Sequence, residues 1–263
     1  MQLNRKNTLY IQLKKLELII IYLLFSLIGL SQESDGYGIN LPKFYDKKIH
    51  FGFTIAGNSS DFRINPTPNS LLPDTIISFT RYKIKTVYSS ASPNFGIGLV
   101  IDARLKKYIR LRFTPSLTFA ERKIIYTLSN LNRDSIRIFE KSVESVFLIF
   151  PLETKIQSKR LGNFSAYAIG GVGYSLDLSA RKKAGTSSGG ANQLDNNVKL
   201  NRDDFFLSSG IGTDFYLQYF KLGFEIKLLI GTNNLILKEN NVWTNSIDKV
   251  RSRMVLFTIT FEG

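Results

Sequence analysis

The chain has 263 residues, enough for one large all-β domain or two small ones, with 35 Lys and Arg against 21 Asp and Glu, a net charge of +14, no cysteine and a single histidine. The missing Cys rules out disulfides, zinc-finger spacings, thiol catalysis and lipidation of an N-terminal Cys, and one His rules out a multi-histidine metal site. Basic residues are spread through the chain rather than gathered on one helix or patch, so no nucleic-acid partner is expected, and any catalysis would have to rest on carboxylates, Lys or Tyr.

The only long apolar run is at the beginning. "LELIIIYLLFSLIGL", residues 16–30, follows Lys14 and Lys15 and ends with the small residues Gly29 and Ser31 placed for a signal peptidase. Residues 1–31 therefore read as a cleavable signal peptide, the alternative being an uncleaved anchor. Its removal leaves 31 basic and 20 acidic residues, a net +11, and a mature chain that leaves the cytoplasm. Residues 32–49 are expected to form a polar periplasmic leader.

From residue 50 onward one pattern recurs. In "HFGFTIAG" Phe51, Phe53 and Ile55 alternate with His50, Gly52, Thr54 and Ala56. "NFGIGLVIDAR" sets Phe95, Ile97, Leu99, Ile101 and Ala103 against Asn94, Gly96, Gly98, Asp102 and Arg104. "IRLRFTPSLTFAER" sets Ile109, Leu111, Phe113, Leu117 and Phe119 against Arg110, Arg112, Thr114, Ser116, Thr118 and Arg122. "SVESVFLIFPLETKI" is less regular around Pro151. "FSAYAIGGVGYSLDL", "FLSSGIGTDFYL", "FKLGFEIKLLI" and "RMVLFTITFEG" complete a set of eight. A period of two with one oily face is a strand signature, and segments of about ten residues suit tilted strands crossing a bilayer.

Short connections ("LKKY", "QSKRLGN", "QY") alternate with long ones at roughly residues 61–90, 129–141, 180–203 and 231–249. In an up-and-down meander this places the long loops at one end and the turns and termini at the other, the layout of outer-membrane barrels. The Gly-, Ser- and Asn-rich 180–203 stretch is expected to be solvated.

Whether the oily face meets a core or lipid is decided by three features. Glycines interrupt the charged face, the Phe, Ile and Leu set is too bulky for the interior of an eight-stranded barrel, and the last strand alternates Val255, Phe257, Ile259 and Phe261. Lipid is the expected partner of Phe220, Leu222, Phe224, Ile226 and Leu228. The lumen is expected to hold Arg104, Arg110, Arg112, Arg122, Lys221, Lys227, Asp102, Asp177, Asp214 and Glu225, with Asp102 pairing with Arg110 or Arg112 because charges out of bulk water need partners.

"GGVGYS" and "GIGTD" complete no nucleotide-binding fingerprint. Asp203 and Asp204 read as the solvated end of a strand, His50 as an interfacial hydrogen-bonding residue, and Trp243 as packing its loop down or anchoring at the interface. No catalytic, cofactor-binding or metal-binding residue is expected.

"YDKKIHFGFTIAGNSSDF", "FPLETK", "YAIGGVGYSLDL", "DFYLQYFK" and "WTNSID", in this order, resemble the PorT-type outer-membrane barrels of the Bacteroidota, from about residue 43 to the end. The resemblance implies a non-enzymatic part in type IX protein secretion, the export of surface proteins, proteases or gliding-motility adhesins, by assembly or partner binding rather than as the conducting channel. It implies as partners outer-membrane lipid, lipopolysaccharide and other secretion components. The resulting expectation is an eight-stranded antiparallel up-and-down transmembrane β-barrel, residues 50–263, in the cell outer membrane. The alternative is a small porin-like or adhesive barrel.

Overall fold

A computed structural model describes residues 38–44, 47–68, 75–77, 80–130, 135–180, 199–238 and 242–263. The expected signal peptide, its cleavage point and most of the 180–203 stretch lie outside the described residues. Eleven strands run β1 (Ile49–Pro66), β2 (Thr75–Ile77), β3 (Thr80–Ser90), β4 (Ser92–Arg104), β5 (Ile109–Phe113), β6 (Ser116–Asn130), β7 (Ile136–Gln157), β8 (Phe164–Asp177), β9 (Asp203–Tyr216), β10 (Lys221–Gly231) and β11 (Ile247–Glu262), with a one-turn helix α1 (Val242–Asn245). β4 continues β3, β6 continues β5, and the three-residue β2 pairs only with β3 and adds nothing to the ring, so the ring has eight strands. Every pairing is antiparallel, and β1 closes the sheet by pairing with β11 on one side (Ile55↔Ile259) and β4 on the other (Ile55↔Ile97). Closure leaves the ring without an edge.

Each of the eight alternating segments is a strand, and their phase is as expected. Phe257, Ile226 and Ile211 are outward and 57%, 50% and 66% exposed, whereas their strand neighbours Glu225, Lys227 and Leu256 are buried inside. Ile211, Ile226 and Phe257 are consecutive cross-strand partners, a belt of oily side chains around the outside.

The irregularity at Pro151 has a local cause. The β5–β7 ladder ends at Phe113↔Leu152 and the β6–β7 ladder resumes at Ser116↔Ile149, so Pro115 and Pro151 fall in the same unpaired step. Neither residue has an N–H to donate, and the fold puts both where the ladder is broken.

The expectation of long loops at 61–90, 129–141 and 231–249 is corrected. β1 runs on to Pro66, β3 and β6 pair from Tyr82↔Asn130 downward, β7 starts at Ile136, and Leu235 and Ile236 are buried. The barrel wall thus projects well past its oily belt. On β6 the apolar residues face out at Leu117 and Phe119, then switch sides beyond Glu121 and Arg122, where Ile124, Tyr126 and Leu128 face in and are fully buried. β1 switches likewise between Ile55 and Phe62, and β11 between Val255 and Val250. Below the switch the outside solvent is apolar and oily side chains turn to it; above it the solvent is water and the same strands bury their oily side chains inward. The inward set, Phe62, Tyr82, Ile84, Val87, Ile124, Tyr126, Leu128, Val143, Leu235, Ile236, Trp243, Ile247 and Val250, is a hydrophobic core capping the barrel.

Candidate functional site

Inside the belt the lumen is filled by charge. β4 supplies Asp102, β5 Arg110 and Arg112, β7 Glu153 and Lys155, β9 Asp214, β10 Lys221, Glu225 and Lys227, and β11 Glu262; all ten side chains are buried. Arg110 Nε donates to Asp102 Oδ1 at 2.6 Å, and Arg112 Nη2 donates to Asp102 Oδ2 at 3.0 Å and Glu262 Oε1 at 2.6 Å. Lys221 reaches Glu262 at 2.6 Å and Asp214 at 3.7 Å, while Lys155 holds Asp214 at 2.6 Å. Lys227 lies 2.7 Å from Glu153 and 2.8 Å from Glu225, and Glu225 is also 3.4 Å from Arg112. Five cations thus meet five carboxylates in one connected cluster of zero net charge.

Uncharged side chains tie the cluster to the wall. The Tyr167 hydroxyl donates to Glu225 Oε2 at 2.9 Å, and its ring lies 3.6 Å from Lys155 Nζ. A Cβ on Gly212, its cross-strand partner, would collide with that ring and with the Phe224 carbonyl, so glycine there is the condition for the ring to lie flat across the wall. Gln157 Nε2 donates to the Tyr216 hydroxyl at 2.8 Å and to Asp214 at 3.2 Å. Two hollows lie among the inward side chains, about 40 Å³ beside Arg112, Thr114 and Thr118, and about 20 Å³ beside Asp204 and Ser252. The first has room for a few waters.

Among the described residues, buried side chains cover both ends of the lumen. At the end with the short turns, Phe44 from the leader is buried, stacked on His50 with ring centroids 3.8 Å apart and 4.9 Å from Lys221 Nζ. Asn40 donates from its backbone to Asn163 Oδ1 at 2.9 Å and from its side chain to the Tyr216 carbonyl at 3.0 Å; the Arg160 guanidinium donates to the carbonyls of Asn40 and Leu41. At the other end Arg122 donates to Ser145 at 2.8 Å and Ser252 at 3.2 Å, with its guanidinium 4.2 Å from the Phe62 ring and 4.8 Å from Phe147. Trp243 is buried above it against Tyr126.

The expected pairing of Asp102 is present, and with both arginines. Arg122, Asp177, Asp214, Lys221, Glu225 and Lys227 are all buried inside, while Arg104 sits half-buried at the end of β4. Asp204 departs from expectation: it is buried and accepts the Asn233 N–H at 3.1 Å, because β9 starts at Asp203 and turns the next side chain inward. Asp203 does face out, hydrogen-bonded by the Tyr174 hydroxyl. His50 hydrogen-bonds to the Gly263 carbonyl oxygen through Nδ1 at 3.2 Å. Trp243 packs its segment down rather than anchoring at a lipid interface. Sequence reasoning missed Glu153, Lys155 and Glu262. Carrying the alternation of Leu152, Thr154 and Ile156 across Pro151 would have turned Glu153 and Lys155 inward.

On the projecting wall the ion pairs are exposed. Hydrogen bonding to Asp61 raises the Arg253 pKa above its ordinary value, and hydrogen bonding to Glu140 does the same for Lys123. Such pairs contribute little.

The model of the family "Outer membrane protein beta-barrel domain" matches residues 30–237. No curated protein matches the chain. Among solved structures it is similar to the outer membrane protein OprG from Pseudomonas aeruginosa, at 16% identity and a TM-score of 0.42, covering 81% of this chain and 92% of that one. It is also similar to the outer membrane protease OmpT from Escherichia coli, at 10% identity and a TM-score of 0.35, covering 82% of this chain and 95% of that one. The chain belongs to the outer membrane protein beta-barrel domain family and is a protein of the outer membrane. Its short turns, residues 40–44 and Gly263 then lie on the periplasmic side and its projecting wall outside the cell.

Proposed function

We propose that this barrel is a PorT-type, non-enzymatic component of type IX protein secretion that acts by assembly or partner binding and conducts nothing itself. The observation that carries the second half of this reading is the neutral cluster joining Arg112, Lys155, Lys221 and Lys227 to their carboxylates, which fills the lumen and leaves a hollow of about 40 Å³. A polypeptide or even a hydrated solute needs a continuous path, and displacing buried ion pairs to open one leaves uncompensated charges. The first half rests on the ordered segments "FPLETK", "DFYLQYFK" and "WTNSID". "FPLETK" gains a physical meaning, since its Glu153 and Lys155 are two members of the cluster.

The surface left for partners is the capped extracellular wall and the periplasmic rim. Catalysis gains no support from the one histidine, which is buried between Phe44 and the Gly263 carbonyl. The test is a deletion strain assayed for proteins released to the culture fluid. Loss of secreted proteins is expected, with restoration by the plasmid-borne gene; normal secretion overturns the secretion role and leaves the alternative of a structural or adhesive barrel.

A further inference from the structure

Arg63 on β1 and Arg251 on β11 are direct cross-strand partners, both outward and both exposed. One step further from the membrane Lys249 stands opposite Asn65, and one step nearer to it Arg253 stands opposite Asp61. Among the described residues Asp61 pairs with Arg253, and no ion pair involves Arg63, Arg251 or Lys249. Asp248 is exposed at the tip of β11. Four cations therefore share one narrow strip of wall with two carboxylates, Asp61, which is paired with Arg253, and Asp248 at its far tip.

Like charges directly opposite one another on a sheet repel, and nothing else in the fold requires these two arginines to face each other. An anion lying between them would remove the repulsion. Two guanidinium forks side by side match the oxygens of a phosphate, which each can grip with paired N–H donors.

Position selects the source of that phosphate. Val255 is the last half-buried apolar residue of the oily belt on β11, and Phe257 below it is 57% exposed. Arg253 and Arg251 stand two and four residues above Val255, about 5 and 10 Å along the membrane normal for strands rising ~3.3 Å per residue at a tilt near 40°. The headgroup layer of one leaflet is about 5–8 Å thick, and an arginine side chain at the upper level reaches down into it. On the extracellular side this is the depth of phosphates carried on a lipid headgroup.

We propose that the strip formed by Arg63, Arg251, Lys249 and Arg253 binds the phosphate of a phosphorylated glycolipid headgroup in the outer leaflet. The site depends on the placement of the barrel in the outer membrane and is independent of any role in secretion.

The test uses the full chain in detergent micelles, titrated with diphosphoryl lipid A and read by native mass spectrometry. R63S/R251S should weaken binding by at least about tenfold, R63K/R251K, which keeps the charge but loses the paired donors, should weaken it by a smaller factor, and K106S/K107S, in the periplasmic turn, should leave it unchanged. A heat-modifiable gel shift verifies that each barrel is folded, and K249S alone, at the strand tip, provides a milder variant expected to lose part of the affinity. Unchanged binding by R63S/R251S, equal binding of the dephosphorylated lipid, or binding of inorganic phosphate as tight as that of the lipid would each overturn the proposal.

Discussion

Arg112 and Glu262 stand 150 residues apart in the sequence and 2.6 Å apart in the lumen, where the same guanidinium also holds Asp102 and Glu225. Arg112 is the cation that links β4, β5, β10 and β11 across the barrel. Arg112→Met keeps much of the volume but leaves five carboxylates facing four cations. Removing one partner of a buried ion pair costs about 3–5 kcal/mol, because the remaining charge is uncompensated. The urea midpoint of the folded-barrel gel band should fall accordingly; a loss below about 1 kcal/mol would mean that water reaches the cluster freely.

Ile226 sits between Ile211 and Phe257 in the middle of the oily belt. Ile226→Arg should destabilise the barrel by about 2–4 kcal/mol, as expected of a cation at the bilayer midplane. Thr127→Arg, also outward but above the switch on β6, should change stability by less than about 0.5 kcal/mol. Equal costs at the two positions would place the membrane boundary elsewhere.

The eight strands, their faces and the Asp102 pairing were legible because a period of two holds wherever one side of the wall meets lipid. The projecting wall was not, and the reason is the inversion at its base. In the segment from Glu121 to Asn130 the oily residues Ile124, Tyr126 and Leu128 take the phase that carried charge lower down, so the lipid-facing pattern stops at Arg122 and leaves them unassigned. Asp204 failed for a similar reason: two adjacent carboxylates look alike in sequence, and only the start of β9 decides which one turns inward. Glu262 has the inward phase, following Phe261, but it is a single charge at the end of a strand whose other inward residues from Met254 on are uncharged, so nothing in the strand marks it as a lumen residue.

Trp243 anchors the extracellular cap, buried against Tyr126 and Phe139, with the Tyr126 hydroxyl donating to its carbonyl at 3.3 Å. Trp243→Ala should cost the cap about 3–5 kcal/mol by emptying its centre. The barrel below has its own buried cluster around Phe147, Phe206 and Met254. Trypsin applied to intact cells should therefore cut the variant at the cap's lysines and arginines while the membrane-embedded part stays protected; a cap as resistant as the original would show that Trp243 does not hold it.

Planar bilayers offer the direct test of the filled lumen. Three successive barriers stand along the barrel axis: Phe44 stacked on His50 at the periplasmic mouth, the ion-pair cluster in the middle, and Arg122 between Phe62 and Phe147 beneath the cap. Phe44→Ala removes only the first, and the Lys155–Asp214 and Arg112–Glu262 pairs behind it remain closed at 2.6 Å each. Neither the original protein nor Phe44→Ala should produce discrete conductance steps in salt solution. Stable steps from the original protein would refute the closed lumen and favour a porin-like role. Steps from Phe44→Ala alone would mean that the mouth is the only gate and that the charges behind it line a path.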